Sequence, residues 1–129
     1  MGNSIIIMAI PTIHIKRAYT PASQKDGWRI LVDRLWPRGV KNETAEYNDW
    51  FKVIAPSTQL RKAFGHKAEN WPEFRKNYKK ELKDNMAALE QLLQVVKKHP
   101  TVTLVYGAKD PDHNNAVVLR EVLLSLLKM

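Results

Sequence analysis

The 129-residue chain contains no cysteine. That absence excludes disulfides, thiolate nucleophiles, Cys-ligated zinc and iron–sulfur clusters. Glycine is scarce at five residues, and none of them is spaced as a phosphate-cradling cofactor loop. The N-terminal apolar run Ile5–Ile10 falls far short of the ~20 residues a membrane span needs. It also lacks a basic flank and leads into the polar segment His14–Arg17, so no targeting signal is read there and a cytoplasmic location is the default expectation. Repeats, low-complexity stretches and linkers are also missing, which leaves no domain boundary to place.

Hydrophobic residues make up 44% of the chain and charged residues 26%, the composition of an ordinary globular domain rather than a disordered segment. A chain this long buries roughly two thirds of its unfolded surface in one core. The expectation is an N-terminal extension over residues 1–11 and a single domain over 12–129. Lysine and arginine outnumber acidic residues 21 to 13, for a net charge of +8. The first 65 residues hold 10 basic and 5 acidic side chains and the rest 11 and 8, so the excess is spread rather than gathered in a tail. Anionic partners are favoured, with a generally basic solvated surface as the plain alternative.

Local patterns place the elements. Thr12–Lys16 and Trp28–Val32 read as strands, separated by a loop over Tyr19–Asp26. Asp33–Gly39 must then break regular structure at Pro37 and Gly39. Ser57 is an N-cap for a helix through Phe64, with Gly65 just beyond its end. Asn70 and Glu73 form a capping-box pair with Pro72 in the first turn. Trp71, Phe74, Tyr78 and Leu82, then Met86, Leu89, Leu92, Leu93 and Val96, keep a helical spacing that Asp84-Asn85 kinks or splits. Thr101–Tyr106 is a buried strand, and a last helix carries Ala116, Leu119, Leu123 and Leu126, with Asp110 as its N-cap and Pro111 as its first residue.

Five segments in this order, Asp33–Gly39 (DRLWPRG), Ala55–Arg61 (APSTQLR), Phe64–His66 (FGH), Trp71–Leu82 (WPEFRKNYKKEL) and Tyr106–Ala116 (YGAKDPDHNNA), resemble the YeaO-like family, a domain of unknown function numbered 488. The resemblance covers about residues 12 to 127. It implies the family's fold more than an activity, since neither a Gly-rich cofactor loop nor a helix-turn-helix pattern accompanies it. Members usually carry a histidine where this chain has Asn115, so any acid, base or ligand role of that histidine is absent here unless His113 substitutes.

Candidate chemistry concentrates in the two loops that follow strands. Arg34 and Arg38 flank Trp36-Pro37 on a stiff loop, and arginine's planar fork grips phosphate or carboxylate through two hydrogen bonds. The alternative is a structural corner in which Asp33 pairs with an arginine and Trp36 fills the core. Lys109 and Asp110 offer a charge stabiliser and a general base, or simply an ion pair and a cap. Asn114 lies in the same loop as a ligand contact, and His66 and His113 are acid–base candidates. Asp110, Asp112 and His113 match no metal-ligand spacing, so neither metal nor cofactor is expected. Arg75, Lys76, Lys79, Lys80 and Lys83 form a basic helix face that can track a phosphate backbone or be solvated. Trp50 and Phe51 are core or pocket wall.

These readings converge on a single compact α/β domain with a short, mainly parallel central sheet flanked by helices. A small phosphorylated or carboxylated ligand would bind in a cleft at the strand ends, with Asp110 and His113 as the catalytic pair if there is an enzyme. A nucleic-acid-binding module using the basic helix is the alternative. No membrane partner is expected, and the oligomeric state is left open.

Overall fold

The structure, a computed structural model, describes residues 10–129. The N-terminal extension expected over 1–11, apart from its last two residues, lies outside the described residues. Four strands form one fully parallel sheet, β1 (Thr12–Arg17), β2 (Trp28–Leu31), β3 (Asp49–Trp50) and β4 (Thr101–Tyr106), in the order β1-β4-β2-β3. The last strand in sequence is therefore inserted between the first two. Its register sets Thr12 beside Thr101 on one side and Trp28 beside Val102 on the other. Among the described residues five α-helices complete the fold: α1 (Asn42–Ala45), α2 (Thr58–Phe64), α3 (Trp71–Asp84), α4 (Met86–Lys97) and α5 (Asn115–Leu127).

Strand side chains alternate between faces, and the two faces are covered differently. Ile13, Ile30, Val32, Val102, Leu104 and Tyr106 point into the main core with the apolar stripes of α2 to α5. Phe74, Tyr78 and Leu82 are the buried residues of α3, as their helical spacing requires. Tyr78 is fully buried and its hydroxyl donates to the Ile54 carbonyl at 2.6 Å. The other face carries Ala18, Leu31 and Val105 under Trp36, Tyr47 and Trp50, so loop segments rather than long helices close it.

Helix ends follow local chemistry, with two departures from expectation. The Ser57 hydroxyl accepts from the Leu60 amide at 3.1 Å and Gly65 takes left-handed backbone at φ 57°, bounding α2 as its sequence requires. The long helix does divide at Asn85, whose φ of −119° and ψ of 49° separate α3 from α4. The Asn70–Glu73 capping box does not form. The Asn70 amide turns back to donate to the Ala63 and Phe64 carbonyls at 3.3 and 3.1 Å, so it closes the end of α2 instead of the start of α3. Nor does Asp110 cap α5. Its carboxylate accepts from the Asp112 amide two residues on at 2.9 Å, a local turn that competes with helix initiation. The cap is Asn114, accepting from Val117 at 3.1 Å. Among the described residues no helix is long and apolar enough to cross a membrane.

Candidate functional site

Because β2 and β4 are parallel neighbours, their carboxyl ends lie side by side, the place where ligands enter open α/β sheets. After β2 the chain passes through Val32 to Asp33, and after β4 to Gly107. The Gly107 amide donates to Asp33 Oδ2 at 2.8 Å. A Cβ on Gly107 would stand 3.1 Å from that oxygen, so the glycine permits the close approach. Asn115, opening α5, donates its side-chain amide to Asp33 Oδ1 at 3.0 Å and to the Val32 carbonyl at 3.1 Å. The Trp50 indole holds the Asp33 carbonyl at 2.8 Å. Asp33 is thus fixed from three directions, and no lysine or arginine among the described residues forms an ion pair with it. The Asp33–arginine pair of the alternative, structural-corner reading does not form. Burial pushes this carboxyl above its ordinary value, outweighing the opposing hydrogen bonds from Asn115 and Gly107.

Around Asp33 opens a cleft of about 670 Å³, within the usual range for small-molecule sites. Its cationic lining is Arg34, Arg61 and Lys109, and the rings of His66 and His113 also face it. Phe64, Phe74, Leu35 and Pro56 supply apolar wall. Arg34 makes only long contacts with the Ala55 and Pro56 carbonyls, 3.4 and 3.5 Å, and its Nε is buried without a partner. Arg34, Arg61 and Lys109 have no ion-pair partner among the described residues.

The loops bring together most of the sequence-derived candidates and leave two outside. Arg34, Lys109, Asp110, His113 and Asn114 line the cleft. Trp36 and Arg38 do not. Trp36 turns to the opposite face of the sheet, packing edge-on against Tyr47 and Trp50 with ring centroids 5.2 and 5.5 Å apart, and its indole donates to the Val40 carbonyl. Arg38 is exposed beyond that corner. Asn114 is buried and committed internally, capping α5 while its amide donates to the Asp110 carbonyl at 2.9 Å.

Asp110 pairs with His113 rather than Lys109, its Oδ2 lying 2.8 Å from His113 Nδ1. The Asp112 amide, followed by His113, holds the Asp110 carboxyl below its ordinary value. The Trp71 ring meets the His113 ring edge-on with centroids 5.1 Å apart. A carboxylate on Nδ1 fixes an imidazole's orientation and leaves Nε2 as its working atom. On the proposed basic face, Glu121 takes Arg75 at 2.7 Å and Lys79 at 3.1 Å, while Lys76, Lys80 and Lys83 are exposed and unpaired among the described residues.

Two lining residues escaped the sequence reading as ligand contacts. Asp33 was read only as the residue after a strand and as an arginine's partner in a structural corner, and Arg61 only as one position of a short helix. Nothing local shows that they face one another.

The family described as the Inactive DUF488-N3 subclade matches residues 12–129. The chain is 46% identical over 114 residues to the uncharacterized protein YeaO of Escherichia coli, covering 88% of this chain and 98% of that one. It is 33% identical over 111 residues to the uncharacterized proteins Rv3073c of Mycobacterium tuberculosis and Mb3100c of Mycobacterium bovis, covering 86% of this chain and 92% of each. No solved structure matches it.

Proposed function

The chain belongs to the YeaO-like DUF488 proteins, within the subclade described as inactive, and from that premise we propose that it binds a small phosphorylated or carboxylated ligand in the cleft without turning it over. One observation carries this reading: Arg34, Arg61 and Lys109 line the same cavity, and none has a carboxylate partner among the described residues. Charge-assisted hydrogen bonds from such groups are about twice as strong as neutral ones. The poorly satisfied Arg34 gains most from an incoming anion, because a buried donor without a partner costs ~1–3 kcal/mol.

The Asp110–His113 pair has the form of an acid–base dyad. In a binding protein, with Nδ1–H given to Asp110, it offers His113 Nε2 as an acceptor for a hydroxyl or other donor on the ligand, and the family's description as inactive is why the reading stops there. The cytoplasm, where phosphorylated metabolites abound, is the compartment this reading fits.

A thermal-shift panel of phosphates, nucleotides, sugar phosphates, organic acids and short DNA and RNA, at low and physiological salt, tests it. A ligand at about 100 times its Kd stabilises by ~2.7 kcal/mol, several degrees for a domain this size. A small anion should raise the Tm of wild type and not that of Arg61→Ala, whose own stability should change by less than ~0.5 kcal/mol because the side chain is exposed and unpaired. Salt-sensitive stabilisation by nucleic acid alone, kept in Arg61→Ala and lost in Lys76→Glu/Lys80→Glu, would transfer the function to α3.

A further inference from the structure

The cleft is not uniformly positive. Its cations, Arg61 and Lys109 on exposed positions and Arg34 half-buried, face a cavity that also contains Asp33. That carboxylate is anchored by two neutral donors, the Gly107 amide at 2.8 Å and the Asn115 side chain at 3.0 Å. Neither donor carries charge. Among the described residues no other group hydrogen-bonds to either oxygen, and none places an ammonium or guanidinium within ion-pair distance of the carboxylate, although Arg61 acts on it electrostatically from further off. By contrast the buried carboxylate of Asp26 is held between Lys16 and Arg29. An enclosed anion lacking a cation is a demand for one. Gly107 keeps this arrangement possible, since any side chain there would crowd Asp33 Oδ2.

We infer that Asp33 selects ligands that carry an amine as well as an anionic group: the anion meets Arg34, Arg61 and Lys109, while the ammonium meets Asp33. This inference rests on the anion-binding reading of the same cleft and narrows it from anions in general to zwitterions. The apolar wall of Phe64, Phe74 and Leu35 accommodates the carbon skeleton joining the two charges. A purely anionic ligand would satisfy the arginines but would leave Asp33 enclosed and repelled.

Matched pairs that differ by one amine provide the test. Calorimetric titration of the full chain at neutral pH compares ethyl phosphate with phosphoethanolamine, and butyrate with γ-aminobutyrate. The amine-bearing member of at least one pair should bind about tenfold tighter or better, the scale of a hydrogen bond between charged partners. Asp33→Asn should erase that preference while retaining affinity for the plain anion. Wild-type comparison stands even if the variant folds poorly. Equal binding of both members of each pair, or a preference for the plain anion, overturns the Asp33 inference and leaves the anion site standing. If no member of either pair binds, and the wider anion panel gives no response lost in Arg61→Ala, both the selectivity and the anion site fall.

Discussion

Two regions, the loop-covered face of the sheet and the cleft at the carboxyl ends of β2 and β4, treat charge in opposite ways. Under the loop-covered face, Asp26 accepts from Arg29 at 2.6 Å and Lys16 at 2.7 Å, and Arg29 also donates to the Ala45 carbonyl through Nε and NH2 at 3.2 and 3.0 Å. Thr103, fully buried, closes the network onto the Asp26 carbonyl at 2.7 Å. Lys16 and Arg29 both pair with Asp26 there, and none of the three lines the cleft. Across the sheet ends, Asp33, Arg34, Arg61 and Lys109 have no such partners and surround open volume. Paired burial serves the fold. Charge left unpaired around a cavity is available to a ligand, and for partly buried groups such as Arg34 and Asp33 it costs stability until a partner arrives.

Breaking the closed network should have the largest effect. Asp26→Ala leaves Arg29, only 4% exposed, without its anion, and should destabilise the domain by ~3–5 kcal/mol in a urea titration. A loss under about 1 kcal/mol would mean that solvent reaches Arg29 and that the contrast between the two regions is false. Next comes pH. Burial would raise the Asp26 carboxyl, but hydrogen bonds from Lys16, the Ser23 amide and Arg29 outweigh it and hold the group below its ordinary 3.8. The folded state therefore binds this proton more weakly than the unfolded chain. Its stabilising contribution is full above 3.8 and disappears as pH falls through the lower folded value. Asp26→Asn should flatten that acid limb of the stability profile, and an unchanged limb would assign it to other carboxylates.

The smallest effect sharpens the contrast from within the closed face. The Tyr47 hydroxyl is buried with no hydrogen-bond partner, although its ring lies beneath the Arg29 guanidinium at 5.4 Å from the centroid. Tyr47→Phe removes an unsatisfied group while keeping the ring, so stability should hold or rise by up to ~1 kcal/mol. A loss of that size would show a water or protein partner for the hydroxyl.

The fold was legible where a pattern runs long enough. β1, β2, β4, the start of α2 and the divided helix at Asn85 all follow from periodicity and punctuation. β3 has only two residues, and four-residue α1 follows Lys41, which supplies no side-chain cap, so neither offers a period to detect. The start of α5 was misplaced because Asp110-Pro111 satisfies the local rule for a cap, while the Asx turn onto Asp112 and the better-placed Asn114 compete for the same backbone. In the cleft, the chemistry of Arg34 and Lys109 could be read from their loops. The exclusion of Trp36 and Arg38 could not, because it depends on which side of the sheet the corner turns to after Asp33. Arg61 joins from a helix 27 positions further along the chain than Arg34, a proximity only the tertiary packing creates.

The position of β4 also has a consequence in time. β1 and β2 are not neighbours, and each finds its long partner in a strand that ends at residue 106. A chain emerging from the ribosome must hold its first apolar strand unpaired until β4, which begins at Thr101, has been synthesised. Ordering through such distant contacts is slow. During that interval the exposed edges are templates for other chains. The last quarter of the sequence therefore acts as the clasp of the whole domain, and truncating before residue 101 should leave helical fragments rather than a smaller sheet.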